Sequence, residues 1–366
     1  MSEERRKNRS IIERFIRVLN ILTIIALVLS YAGGIISPER FWPLAFAAMA
    51  YPLILAATVL FAIYWALKRE WFAFLNIALL LLKSSLVTGT FGFSGSETDD
   101  KSGIKVMTYN VRLFDKYNWS NSSNSKDSII SFLSKKNADI LCIQEYYDVD
   151  DKILKQLAVS GNQNIHLRNY YAQRDNKNNF GIATISNYPM IHKGTIVLEN
   201  SRSALAIFTD LKINDDTVRV YNFHLQSIHL GNAGYEIIDG LMKNQQMDEL
   251  ADSKLVAGRL KSGFVKRAIQ AEEIAEHIAK SPYAVIVCGD FNDVPTSYTY
   301  QTISEGLNDS FSESGKGLGA TYVRVPFFRI DNILYSDDFV SSNHRTFNQS
   351  TDSDHFAVSA QLNRND

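Results

Sequence analysis

Eight polar side chains stand where a plain core strand would have no use for them. They are Asn110 in TYNVR, Glu145 in IQEYY, His224 in NFHLQS, Asp290 and Asn292 in GDFND, Asp331 in RIDNIL, and Asp354 with His355 in SDHFAV. Each lies in or at the end of a run of β-formers. Gathered at one end of a sheet, they would offer carboxylate and amide oxygens plus two imidazoles. An oxygen-rich set of this kind suits Mg2+, with Mn2+ as the alternative, rather than zinc. Two histidines among carboxylates suit a base and a phosphate contact. The chemistry expected is water attack on a phosphoester, in which a cation clamps the phosphoryl oxygens and a His–Asp pair activates water. Any one of these residues alone reads more simply as a cap or turn residue. The ordered series carries the weight.

The elements that must position them follow from the pattern around them. IKVMTYNVR, ADILCIQEY, FGIATISNYPM, ALAIFTDLKI, TVRVYNFHLQS, YAVIVCGDFN, RIDNILYS and HFAVSAQL read as strands. SKDSIISFLSKKN and GFVKRAIQAEEIAEHIAKS read as helices, the second with Val265, Ala268, Ile269, Ile274 and Ile278 facing inward. This mixture predicts an α+β or mixed α/β layered domain. Residues 229–262 read as an insertion or lid. Cys142 and Cys288 sit inside apolar runs and are expected as buried free thiols, not a disulfide framework.

The first 93 residues are of another kind. Runs over 18–36, 41–67 and 72–93 carry no charge except Lys83, and each is close to or longer than the about 20 residues needed to cross a bilayer. They predict a three-helix transmembrane segment. Arg5, Arg6, Lys7, Arg9, Arg14 and Arg17 precede the first run, and Lys68 and Arg69 separate the second from the third. The positive-inside rule therefore puts the amino terminus in the cytoplasm of an inner or plasma membrane, and everything after Phe93 on the extracytoplasmic side. Residues 94–103 form a small polar linker to a globular part over 104–366. That part is not basic: 28 Lys and Arg face 34 Asp and Glu after Gly95, a net of −6. A dedicated duplex-DNA binder would be basic.

The order TYNVR, IQE, FHL, GDFN, IDNIL, SDH resembles the endonuclease/exonuclease/phosphatase superfamily, whose members include deoxyribonuclease-I-like nucleases, inositol-polyphosphate 5-phosphatases and neutral sphingomyelinases. The resemblance covers the whole soluble part. It implies a four-layer α/β/β/α sandwich with the site at one mouth of two packed sheets. It implies that Glu145 ligates Mg2+ with Asn110 beside it, that Asp354 completes the metal or water shell, and that Asp290 and Asn292 face the phosphate and the nucleophile. His224 would contact phosphoryl oxygens, and His355 would be the second catalytic imidazole, held in its tautomer by Asp331. Arg112 departs from the acid or small polar residue many nuclease members carry there; it reads equally as a phosphate contact or a solvated strand end. The implied activity is metal-dependent hydrolysis of phosphodiester or phosphomonoester bonds, nuclease-type first, with a phospholipid or sphingolipid headgroup as the alternative substrate. The competing expectations are a catalytically silent binding module, which should have lost Glu145, Asp290 or His355, and a transport subunit, for which Lys83 is too little. A phosphoester substrate and the lipid bilayer are the partners expected; no protein partner is.

Overall fold

Runs of β-branched and aromatic residues pair into two six-stranded mixed sheets, in a computed structural model that describes residues 11–96, 102–119, 124–148, 152–158, 164–169, 179–198, 204–228, 249–348 and 352–365. In the first sheet the order is β13 (Phe339–Thr346), β14 (Val358–Arg364), β2 (Ile104–Asn110), β3 (Ile140–Asp148), β5 (Asn179–Ser186), β4 (Asn164–Asn169). In the second it is β10 (Asn308–Asp309), β12 (Asp331–Tyr335), β9 (Ala284–Asp290), β8 (Asp216–His224), β7 (Leu205–Ile213), β6 (Met190–Ile196). Only β2 with β3 and β8 with β9 run parallel; the other pairs are antiparallel.

Side chains alternate across a strand, so each central strand feeds two cores. Val106, Ile140 and Cys142 of the first sheet meet Val220, Ile286 and Cys288 of the second in a core between the sheets. On the outer face of the first sheet, Met107, Tyr109 and Ile143 pack on Ile129, Ile130 and Leu133 of the helix Ser125–Lys136. On the outer face of the second, Tyr221, Phe223 and Val287 pack on Ala271, Ile274 and Ile278 of the helix Glu249–Ala279. The result is the expected order of layers, helix, sheet, sheet, helix. Both cysteines are free and buried.

The amino-terminal region departs from three unbroken spans. The helix Ile11–Gly33 is long and apolar enough to cross a membrane. It starts earlier and stops sooner than the run over 18–36. The second run is two helices, Pro43–Met49 and Tyr51–Leu67, bent by 61° at Ala50. Pro52 lies in the first turn of the second helix, and its missing N–H and its ring favour a helix start there over helix continuation. The third run is also two helices, Phe72–Leu82 and Ser84–Thr90, bent by 78° at Lys83, whose φ of −130° and ψ of 50° are not helical. It closes as a short strand, β1 (Phe91–Phe93), paired with β11 (Lys316–Leu318) of the globular part. By length and composition, the described residues thus hold one spanning helix, or up to three if each bent pair is one span. Residues 229–248, most of the predicted insertion, lie outside the described residues; from Glu249 onward its chain joins the helix that ends at Ala279.

Candidate active site

Asn110 ends β2 in one sheet, and Asp290 ends β9 in the other. The Asn110 amide bridges them: Nδ2 donates to Asp290 Oδ2 at 2.9 Å and to Glu145 Oε1 at 3.3 Å. Glu145 lies inside β3, not at its end. The pairing of β3 with β5 shifts register between Ile143 and Tyr146, and Glu145 sits in that bulge with a φ of 49°. A bulge re-aims a side chain that regular alternation would send elsewhere. Here it turns the Glu145 carboxylate toward Asn110.

The second sheet supplies the rest of the charge. Asp331 opens β12 and stands directly opposite Asp290 in the antiparallel register. Its Oδ2 lies 2.9 Å from His355 Nδ1, and His355 Nε2 lies 3.7 Å from Asp290 Oδ2. His224, at the end of β8, places Nε2 3.6 Å from Glu145 Oε1 and 3.7 Å from Asp290 Oδ2. The backbone N–H of Asn292 donates to Asp290 Oδ1 at 2.8 Å, and its Nδ2 to the Leu225 carbonyl at 3.1 Å. Asp354 stands one step back and pairs with Arg112 Nε at 3.3 Å. All eight predicted residues therefore gather around one mouth of the two sheets. The described His, Asp and Glu atoms close enough to share an ion, within 4.8 Å of one another, are those of Asp290, Asp331 and His355. That trio is not the expected metal set of Glu145, Asn110 and Asp354.

Electrostatics separate the two groups. Burial alone would lower His355, but the Asp331 and Asp290 carboxylates outweigh it and hold the imidazole well above its ordinary value. Burial pushes Asp290 up, against the pull of His355. Burial, then the Asp354 carboxylate, pushes the Glu145 carboxyl up to about 7. In the Asp331–His355–Asp290 group a charged imidazole would offset part of the two carboxylates' charge. At Glu145 the Asp354 carboxylate adds negative charge, part of it offset by Arg112. In addition, Asp331 Oδ1 is buried with no hydrogen-bond partner among the described residues. Hard oxygen donors with surplus negative charge are the donor set a divalent cation such as Mg2+ selects.

Arg112 is neither a solvated strand end nor aimed at open solvent. It begins a turn in which Arg112, Leu113, Phe114 and Asp115 all have φ between 46° and 56°. Four successive left-handed residues cost roughly 1–2 kcal/mol each. The turn is held by the Arg112 N–H on Asn110 Oδ1 at 3.0 Å, the Val111 N–H on the Gln144 carbonyl at 3.0 Å, and buried Phe114 edge-on to Tyr146. The guanidinium lies 4.4 Å from the centre of the Trp119 ring.

Several supports of the site were not expected from the sequence. Ser353 Oγ donates to the Asn110 carbonyl at 2.8 Å and accepts the His355 N–H at 3.2 Å, tying the two site loops together. Gln144 Nε2 donates to Asn222 Oδ1 at 2.7 Å across the sheets, directly beneath the site. Arg267 pairs with Asp293 at 3.1 Å, both buried. An arginine among the inward positions of a helix, as in FVKRAIQ, was the available signal for that last pair.

Residues 107–355 match the endonuclease/exonuclease/phosphatase family. The chain belongs to that family. Residues 13–90 match a second family, described only as a domain of unknown function. No curated protein matches the chain. Among solved structures, a mannosyl-6-phosphatase of Bacteroides thetaiotaomicron is 17% identical at a TM-score of 0.52, covering 71% of this chain and 99% of that one. The human Nocturnin catalytic domain, with sulfate bound, is 17% identical at 0.51, covering 73% and 97%. A humanized D. rerio TDP2 is 14% identical at 0.50, covering 72% and 100%. At these identities the likeness is one of fold. Membership of the family makes the chain a phosphoesterase.

Proposed function

We propose that this chain is a divalent-metal-dependent phosphoesterase held in a membrane, with its catalytic domain, residues 104–366, on the extracytoplasmic side. The observation that carries the catalytic reading is the Asn110 bridge between Asp290 and Glu145, set beside the Asp331–His355 pair. It joins the Glu145 carboxylate to a histidine held between two carboxylates within one cleft.

Glu145 and Asn110, with Asp354 behind them, would hold the cation, which when bound supplies positive charge to the phosphoryl oxygens. Asp290, fixed by the N–H of Asn292 and the amide of Asn110, orients the attacking water and draws its proton. The Asp331 and Asp290 carboxylates favour the charged form of His355, so it acts as donor and charge partner toward the developing oxyanion rather than as a base. Asp331 fixes the orientation of its ring. His224, between Glu145 and Asp290, contacts a phosphoryl oxygen. Asn292 fixes the loop on which Asp290 ends.

Anchoring is supported by the helix Ile11–Gly33 and by the bent pairs that follow it. Sidedness is supported by the basic residues before the first run and after the second. The test uses the full chain in lipid vesicles, with Mg2+ and then with a chelator, against plasmid DNA, single-stranded RNA and labelled phospholipid or sphingolipid. Chelator-sensitive nicking marks a nuclease; headgroup release without nicking marks a lipid phosphoesterase. Asp290→Ala, His355→Ala and Glu145→Ala should each lower turnover by about 100-fold or more while the chain stays folded. Folded variants with unchanged turnover would defeat the assignment.

A further inference from the structure

Three points of the apolar segment, distant from one another in sequence, meet the globular part at the loops behind the site. The Ala48 carbonyl accepts Thr296 Oγ1 at 2.8 Å. The Gly89 carbonyl accepts Arg329 Nε at 3.1 Å. Gly34 packs so closely that a methyl group on it would lie 2.8 Å from the Thr296 carbonyl oxygen. Thr296 belongs to the loop that leaves β9 through Asp290 and Asn292. Arg329 stands two residues before Asp331. Thr296 and Arg329 are 2% and 4% exposed, so these are buried, directional bonds to backbone acceptors, not adaptable surface contacts.

The same two loops are joined to each other. The Phe291 N–H donates to the Ile330 carbonyl at 2.8 Å. Arg329 is fixed further by Asp309, at 3.1 and 2.6 Å, and by Asn332 Oδ1 at 2.6 Å. Tension or release at Ala48, Gly34 or Gly89 therefore reaches Asp331 through two residues of chain and Asp290 through six, with the Phe291–Ile330 hydrogen bond between the loops. Anchoring alone needs none of this; a linker such as residues 94–103 would suffice.

We infer that the apolar amino-terminal segment is a working part of the catalytic unit: through Thr296 and Arg329 it positions the loops that carry Asp290, Asn292 and Asp331. Thr296 and Arg329 are positioning residues. The inference rests on the phosphoesterase reading for one of its two readouts only.

The experiment keeps the full chain in phosphatidylethanolamine–phosphatidylglycerol vesicles. It compares wild type with Gly34→Ala, which alters only the apolar segment, with Thr296→Val, which removes only the hydroxyl, and with Thr296→Ser, which keeps it. Gly258→Ala is the control, because nothing lies within 4 Å of the added methyl. One readout is kcat and KM on whichever phosphoester the wild type turns over. The other is amide exchange at Phe291 and Asn292. Gly34→Ala and Thr296→Val should lower kcat about tenfold with KM little changed, and speed exchange at both amides about tenfold. Thr296→Ser and Gly258→Ala should match wild type. Folded Gly34→Ala and Thr296→Val chains with wild-type kcat and wild-type exchange would overturn the inference. Should Gly34→Ala fail to fold, Thr296→Val decides alone. A wild type with no activity on any phosphoester would instead defeat the functional reading, and the exchange rates would still decide the coupling.

Discussion

At His355 the two ring nitrogens face two carboxylates, Asp331 at 2.9 Å from Nδ1 and Asp290 at 3.7 Å from Nε2. The shorter contact fixes the ring's orientation, and the pair together favours the charged ring. Asp331→Asn removes the nearer charge but not the side chain's shape. Lowering the His355 pKa means that its proton is lost at lower pH. A reaction needing the charged ring should therefore show its basic limb displaced to lower pH, with turnover reduced by roughly 10²–10⁴. A pH–rate profile checks both. Glu145 titrates the other way. Its carboxyl, pushed up to about 7 by burial and by Asp354, holds a proton that a cation bound there, as proposed, would have to displace. Affinity for Mg2+ should weaken as pH falls below about 7 and should release protons on binding. Calorimetry in two buffers of different ionisation enthalpy measures this, and binding without proton release would contradict it. The residue types were legible from the sequence. Their states were not, because a pKa depends on neighbours that chain order does not name.

The strands that deliver the site were readable because short runs of apolar and β-branched residues, buried on both faces, stand out between turns: IKVMTYN, LAIFTDLKI and AVIVCGD are all β-strands. Three things were not readable. Edge strands β4 and β13 are polar, NIHLRN and FVSSNHRT, and lack the apolar run that marks a buried strand. The bulge at Glu145 comes from pairing with β5, a partner across the sheet. Of the expected inward positions of the long helix, Ala268, Ile274 and Ile278 are buried and Val265 and Ile269 half-buried; Phe264, Arg267 and Ala271 are buried beside them because the helix lies on the sheet over a wider stripe. On β13, His344 accepts or donates to Ser310 Oγ at 2.9 Å and packs edge-on to Phe311. Burial pushes its pKa down to about 4. Below about 6.5 the unfolded chain gains a proton at this ring that the folded chain does not, so its contribution to stability falls as pH drops from about 6.5 to about 4. His344→Gln should therefore narrow or reverse its stability deficit relative to wild type over that window. Denaturant midpoints at a series of pH values measure the difference; a constant gap would refute it.

Across the whole molecule, the amino-terminal helices form a packed group with two ends. Fully buried Asn20 and Asn76 exchange amide hydrogen bonds at 3.0 and 3.2 Å, the kind of polar contact that joins helices in lipid. Near one end Arg17 pairs with Glu70 at 3.1 Å. At the other, Gly34, Ala48 and Gly89 meet the catalytic loops. With an odd number of crossings, as proposed, the two ends would lie on opposite sides of the bilayer. Cys142 and Cys288 are fully buried and will not react with a membrane-impermeant maleimide. A cysteine at exposed Asp215 should then label from outside intact cells, and one at exposed Lys68 only after lysis. The opposite pattern would put the catalytic domain in the cytoplasm.

The sequence by itself determined the family, the strands that carry its motifs, the residue types at the site and the apolar character of the first 93 residues. These are local properties: composition, periodicity, and the order of short motifs. Only the tertiary structure decided that Asn110 bonds Asp290 from 180 residues away, that His355 is held between two carboxylates, and that Arg112 folds onto Asp354. It also decided that the apolar runs break at Ala50 and Lys83 and that their ends rest on the catalytic loops. Each of these is a distance between segments remote in the chain, set by how two sheets close on a shared core and how a helical group seats against one end of it.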